Sequence, residues 1–209
     1  IAGIGFITPI FMILNGVSVG LGSGATSSIS RFVGAKNHKK ASQSAAHSLL
    51  IFLIASVVLT IVLLILQEPL LKLYGASGES LAQGIKYGTP LFLGLFAFIF
   101  ANGASGILRG EGDMKRAMYA VVVSVILNAI LDPICIYILG WGSAGAAIAT
   151  ILSSICSAIV ILYWILVKKD TYVDVNLGEF KFDSSIAKDI LKVGIPASMD
   201  MLVMSIAMS

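Results

Sequence analysis

From Ala117 to Val167 the chain runs 51 residues with a single charge, Asp132. A water-facing helix or strand cannot be built from such a run, because it needs polar residues on one face at every turn or every second position. Three further blocks, Ile1 to Ser30, Ala41 to Gln67 and Tyr87 to Leu108, carry no Asp, Glu, Lys or Arg. A helix needs roughly 20 apolar residues to cross the hydrocarbon core, and each block is long enough. Charged residues make up only 12 % of the chain, against about 25 % in soluble domains. The chain is therefore read as an all-α polytopic membrane protein.

The blocks predict spans at 6–30, 43–66, 84–108, 117–139 and 143–167, with a sixth opening near Lys188. Gly140-Trp141-Gly142 forms the turn between the fourth and fifth. Ile1 stands inside an apolar run with no charged flank, and Ser209 falls where the sixth span is still too short. The expectation is a fragment with five complete transmembrane helices and a truncated sixth. Residues 1–167 form the bundle, 168–187 a solvated cytoplasmic linker, and 188–209 the start of a second unit. Nothing resembles a cleavable signal, since the first 30 residues lack a positive n-region.

Orientation follows from the loops. Arg31, Lys36, Lys39, Lys40, Arg109, Lys115, Arg116, Lys168, Lys169, Lys181, Lys188 and Lys192 fall on one side, and Lys72 and Lys86 on the other. Lys/Arg bias marks the cytoplasmic face, so the first span runs outside to inside in the cell membrane. The net charge of +3 is thus a topology signal and implies no nucleic-acid partner.

A carboxylate at the centre of a span costs about 2.5–3.5 kcal/mol on insertion scales, which makes it a functional-site hypothesis. Asp132 lies in the fourth span, with Asn128 four residues earlier on the same face. Pro133 has no N–H, so the Ala129 carbonyl loses its helical donor. Amide oxygen, freed carbonyl and carboxylate form an all-oxygen set suited to a hard cation or a proton. Thr150 matches Asp132 in depth, because each lies seven residues from the outer end of its span. Asp200, four residues after Pro196, reads either as a second ion or substrate site or as a residue paired within the second half of the transporter. Cys135 and Cys156 fall inside spans and read as packing, as do Gly16, Gly20 and Gly24 with their small-xxx-small spacing. His47 reads as a hydrogen-bonded helix residue, and Met199, Met201, Met204 and Met208 as a core or pocket face.

Several segments resemble those of multidrug and toxic compound extrusion (MATE) transporters. They are Ser30-Arg31-Phe32-Val33-Gly34-Ala35-Lys36, Leu108-Arg109-Gly110-Glu111-Gly112-Asp113-Met114-Lys115, and Leu127-Asn128-Ala129-Ile130-Leu131-Asp132-Pro133. Gly142-Ser143-Ala144-Gly145-Ala146-Ala147-Ile148-Ala149-Thr150 and Gly194-Ile195-Pro196 complete the order. The match is most similar to the branch holding DNA-damage-inducible and archaeal members. It implies two six-helix lobes, with this chain supplying helices two to six of the first lobe, the inter-lobe linker and the start of helix seven. It also implies export of organic cationic or amphipathic compounds in exchange for Na⁺ or H⁺, with no cofactor. The lipid bilayer, a small organic substrate and the remainder of the transporter chain are the implied partners. In that branch the cation site uses an Asn and an Asp that fall on Asn128 and Asp132, joined by a Tyr at Tyr87 and a Thr at Thr150. The site's helix-one Asp has no counterpart here. A lipid-linked oligosaccharide flippase of the same superfamily is the alternative, and it calls for basic residues in the central cavity, where the sequence shows none. A membrane enzyme is the remoter one, since no H-E-x-x-H, G-x-S-x-G or paired His is present.

Overall fold

The computed structural model describes residues 8–73, 75–168, 170–175, 180 and 182–207. They form six helices in antiparallel succession: α1 (Thr8–Gly34), α2 (His38–Leu73), α3 (Gly78–Glu111), α4 (Met114–Pro133), α5 (Gly142–Leu162) and α6 (Ser184–Ala207). Single π-helical turns extend α4 over Ile134–Ile138 and α5 over Tyr163–Lys168. Among the described residues, α2, α3, and α4 and α5 with their extensions are long and apolar enough to cross a membrane. The 36 residues of α2 span about 54 Å, so its ends stand clear of a hydrocarbon core about 30 Å thick.

The hub is α3, which packs against α1, α2, α4 and α5. Its glycines let three of those neighbours come close. A Cβ at Gly94 would stand 1.8 Å from Ile151 on α5, one at Gly103 would meet the Phe52 ring of α2 at 2.7 Å, and one at Gly106 would lie 2.4 Å from Gly22 O on α1. Thr26 Oγ1 ties the same crossing by donating to Gly106 O at 2.8 Å. In lipid there is no hydrophobic drive between helices, so such close backbone approach supplies much of the association. The outer faces are apolar, with Ile65 of α2 at 68 % and Val125 of α4 at 61 % exposure in the bare chain. That arrangement suits a bilayer as solvent.

Gly20 and Gly24 also act as their spacing implied. A Cβ at Gly20 would meet Ser198 N at 2.4 Å, and one at Gly24 would meet Ile190 O at 2.4 Å. Thus α6 lies directly on α1, and it opens at Ser184 rather than near Lys188. Asp183 caps it by accepting from Ser185 N–H at 2.8 Å, while Ile186 and Ile190 turn into the core. Arg31 of α1 pairs with Asp189 of α6.

The segment between α5 and α6 departs from the solvated linker expected. Thr171-Tyr172-Val173-Asp174-Val175 alternates, with Val173 and Val175 buried and Tyr172 and Asp174 facing out. It crosses the basic end of the bundle as a strap. Val173 N–H donates to Glu111 Oε2 of α3 at 3.1 Å, Asp174 N–H to Ser42 Oγ of α2 at 3.0 Å, and Arg116 of α4 pairs with Asp170 at 2.8 Å. Further on, Asp183 N–H donates to His47 Nε2 at 2.7 Å. Because that nitrogen accepts, the ring proton sits on Nδ1, which donates to Gln43 O at 2.7 Å. His47 is therefore a hydrogen-bonded helix residue whose second nitrogen holds the strap. Gly178, Lys181 and Met208 lie outside the described residues.

Candidate cation-binding site

Asn128 and Asp132 share one face of α4, and Asn128 looks onto α5. Its Nδ2 donates to Thr150 Oγ1 at 3.4 Å. The Thr150 proton is committed to Ala146 O at 3.0 Å, so its oxygen is left to accept. Thr150 is thus both bonded back to its own helix and part of the cluster. Matched depth had set it beside Asp132; the contact it makes is with Asn128. With the amide nitrogen turned to Thr150, Asn128 keeps Oδ1 for another partner.

Asp132 is half-buried, and its Oδ1 is fully buried with no hydrogen-bond partner among the described residues. Leaving a buried polar atom unsatisfied costs about 1–3 kcal/mol, and more for a charged group. Pro133 ends α4, and the π-helical turn begins at the next residue; such turns occur frequently at functional sites. Within that turn Cys135 O accepts from Trp141 N–H at 3.2 Å. The same carbonyl lies where a Cβ on Gly145 would come within 2.6 Å, so the start of α5 is set hard against the end of α4. This contact fixes Thr150 relative to Asn128.

The available donors are one carboxylate, one amide oxygen, the Ala129 carbonyl freed by Pro133 and one hydroxyl oxygen. These are hard oxygen ligands with a single negative charge, a set that fits a monovalent cation or a proton. Among the described residues no three His, Cys, Asp or Glu side chains stand together as a metal site. The Tyr87 side chain lies outside the described residues. Asp200 is exposed on α6, which packs on α1 and α2, so the structure does not bring it to Asp132.

A cavity of about 200 Å³ lies between α3, α4 and α5, walled by Asn102, Ser105, Ser124, Ser154 and Ser157 together with Phe98. Ser154 also borders a void of about 10 Å³ that touches Thr150, room for about one water. The cavity therefore ends close to the Asn128 cluster. Sequence reading missed these residues, because serines in a span ordinarily bond back to their own helix. Ser154 does so, donating to Thr150 O at 2.8 Å, but Ser157 crosses to Ala120 O of α4 at 3.1 Å.

A family model described as MatE matches residues 1–134. The chain belongs to the MatE family. Among MatE-like relatives, the multidrug export protein MepA of Staphylococcus aureus (strain NCTC 8325 / PS 47) is 30 % identical over 197 residues, which cover 94 % of this chain and 44 % of MepA. The probable multidrug resistance protein YoeA of Bacillus subtilis (strain 168) is 28 % identical over 214 residues, 99 % of this chain and 46 % of YoeA. The inward-facing conformation of a multidrug resistance MATE family transporter of the MOP superfamily matches at TM-score 0.93 and 46 % identity, over 99 % of this chain and 47 % of that one. The outward-facing conformation matches at TM-score 0.94 with 46 % identity, over 99 % of this chain and 46 % of that one. A MOP superfamily transporter from Pyrococcus furiosus, whose reverse polarity of binding pocket suggests a different function, matches at TM-score 0.94 and 46 % identity over 99 % of this chain and 46 % of its own. The chain spans about half the length of these MatE relatives. Its fold is accordingly that of part of a MATE transporter, a multi-pass membrane protein.

Proposed function

We propose that the chain carries the coupling-ion site of a secondary transporter that exchanges Na⁺ or H⁺ for organic cationic or amphipathic compounds. The observation that carries this reading is the buried, unpartnered Oδ1 of Asp132, one turn from an Asn128 whose amide oxygen is left available by its bond to Thr150. A proton or a bound cation satisfies that oxygen, and the two exclude each other because one carboxylate serves both. Coupling is a difference in ligand affinity between conformations, and a single carboxylate shared by proton and cation supplies such a difference on this reading. The basic end of the bundle faces the cytoplasm on this reading, so α1 runs outside to inside. The family's multidrug exporters support the substrate class by their names. The test is efflux of a fluorescent organic cation from proteoliposomes of the full-length gene product, with Na⁺ and H⁺ gradients imposed separately. Efflux driven by at least one gradient is expected, and efflux indifferent to both would overturn the proposal.

A further inference from the structure

His47 on α2 is buried, with 1 % of its surface exposed, and both of its ring nitrogens are committed. Nδ1 donates to Gln43 O and Nε2 accepts from Asp183 N–H, each at 2.7 Å. One neutral tautomer satisfies both bonds at once, and no other protonation state does. Phe180, Phe182 and Asp183, which lead into α6, gather at this ring. The Phe180 and Phe182 rings stand with their centroids 4.8 and 5.6 Å from that of the imidazole.

A second proton reverses the contact. An imidazolium donates from both nitrogens and accepts with neither, so Nε2–H would face Asp183 N–H, donor against donor. Turning the ring away would also give up the bond to Gln43 O. The acid beside the ring is Asp183 itself, whose carboxylate accepts from Ser185 N–H at 2.8 Å as the cap of α6. Were that carboxylate to swing to the imidazolium, it would leave the cap. Protonation therefore rearranges the entry to α6 by either route.

Charged groups on the elements around α2 are held elsewhere. Asp189 of α6 pairs with Arg31 of α1, and Lys40 of α2 lies over the Phe32 ring. On α3, Glu111 accepts from Val173 N–H and Arg109 donates to Ser105 Oγ. Asp174 of the strap, and Lys188 and Lys192 of α6, are exposed. The strap's other anchors do not involve His47, since Val173 N–H is held by Glu111 and Asp174 N–H by Ser42. Nor does the body of α6, which rests on α1 at Gly20 and Gly24. A release at His47 is thus confined to the turn that feeds α6.

We propose that His47 is a pH-sensitive latch: neutral, it pins the entry of α6 to α2, and protonated it lets that entry go. The latch works whether or not the protein is an exporter, and on the orientation proposed above it senses cytoplasmic acid.

Hydrogen exchange of the full-length gene product in detergent, at fixed Na⁺, reads the latch at the Asp183 amide. After correction for the intrinsic pH dependence of exchange, protection over residues 182–184 should fall about fivefold or more from pH 8 to pH 5, the range in which histidines ordinarily gain a second proton. His47→Gln offers an amide oxygen at similar reach and cannot titrate. Its protection over 182–184 should not change with pH, whichever level it settles at, and a parent-like melting temperature at pH 8 shows that it is folded. Glu111→Gln removes the other part-buried titratable side chain that holds this segment, and there the response at 182–184 should persist. Protection that stays flat in the parent across this range would overturn the latch without recourse to any variant. So would a response that survives in His47→Gln or vanishes in Glu111→Gln, since either assigns it to another group.

Discussion

At the scale of single residues the site is an arrangement of committed and uncommitted hydrogen-bonding groups. Thr150 gives its proton to its own helix and its lone pair to Asn128, and Asn128 is thereby held with its oxygen available. Asn128→Ala removes that oxygen while leaving the Asp132 carboxylate in place. Cation affinity of the full-length product should fall about tenfold or more, while proton-driven efflux persists. Equilibrium Na⁺ titration at fixed pH checks this, and unchanged affinity would remove Asn128 from the site. Thr150→Val should give a milder loss, because it frees the amide to turn without removing it. Asn128 and Asp132 were legible in the sequence, since a spacing of four and a following proline are local features. The partner of Thr150 was legible only in part. Depth along a helix follows from counting residues, whereas rotation about the axis is set by packing, here by Gly145 against Cys135 O. Arg109 was counted as a topology residue, and nothing in one sequence says that its guanidinium turns back one turn to donate to Ser105 Oγ.

Among the elements, the strap between α5 and α6 has the clearest consequence. Its alternation of Val173 and Val175 is a signal of period two, visible in the sequence but masked by the charged residues around it. A one-residue insertion after Val173 would turn Val175 outward and forfeit the burial of one valine, worth about 1.5 kcal/mol or more. The melting temperature of the purified product should drop accordingly, whereas a short insertion at Gly178 should leave it nearly unchanged. Equal tolerance at both positions would mean that the strap is not packed in the intact protein. The anchor at Asp170 sets a pH window. The Lys168 ammonium hydrogen-bonds it at 2.9 Å and Arg116 stands beside it, which together hold its carboxyl below the ordinary 3.8. A depressed carboxylate contributes stability above its ordinary value and loses it only as pH falls through the folded one. Protection of the strap from proteolysis should therefore be the same at pH 8 and pH 5 as far as this pair is concerned. An Asp170→Asn variant that differs from the parent at pH 8 but matches it at pH 5 would contradict this.

For the whole molecule, the spans and the fold class were the most legible features, because twenty apolar residues have few alternatives in lipid. Less legible was how α6 attaches: the stripe Gly20–Gly24 announced a close contact without naming its partner, which is the Gly194–Ser198 face of α6. Cysteines introduced at Lys39 and Lys115 should label only from the cytoplasm and one at Ser77 only from outside; labelling of Ser77 from the cytoplasmic side would invert the orientation. The central claim, that one carboxylate is shared between proton and cation, is tested most directly by Asp132→Asn in the full-length gene product. The substitution keeps the shape and removes the titratable group. Reconstituted and driven separately by Na⁺ and H⁺ gradients, the variant should insert and melt like the parent yet lose cation-coupled efflux. Efflux at the parent rate under both gradients would show that Asp132 is only structural.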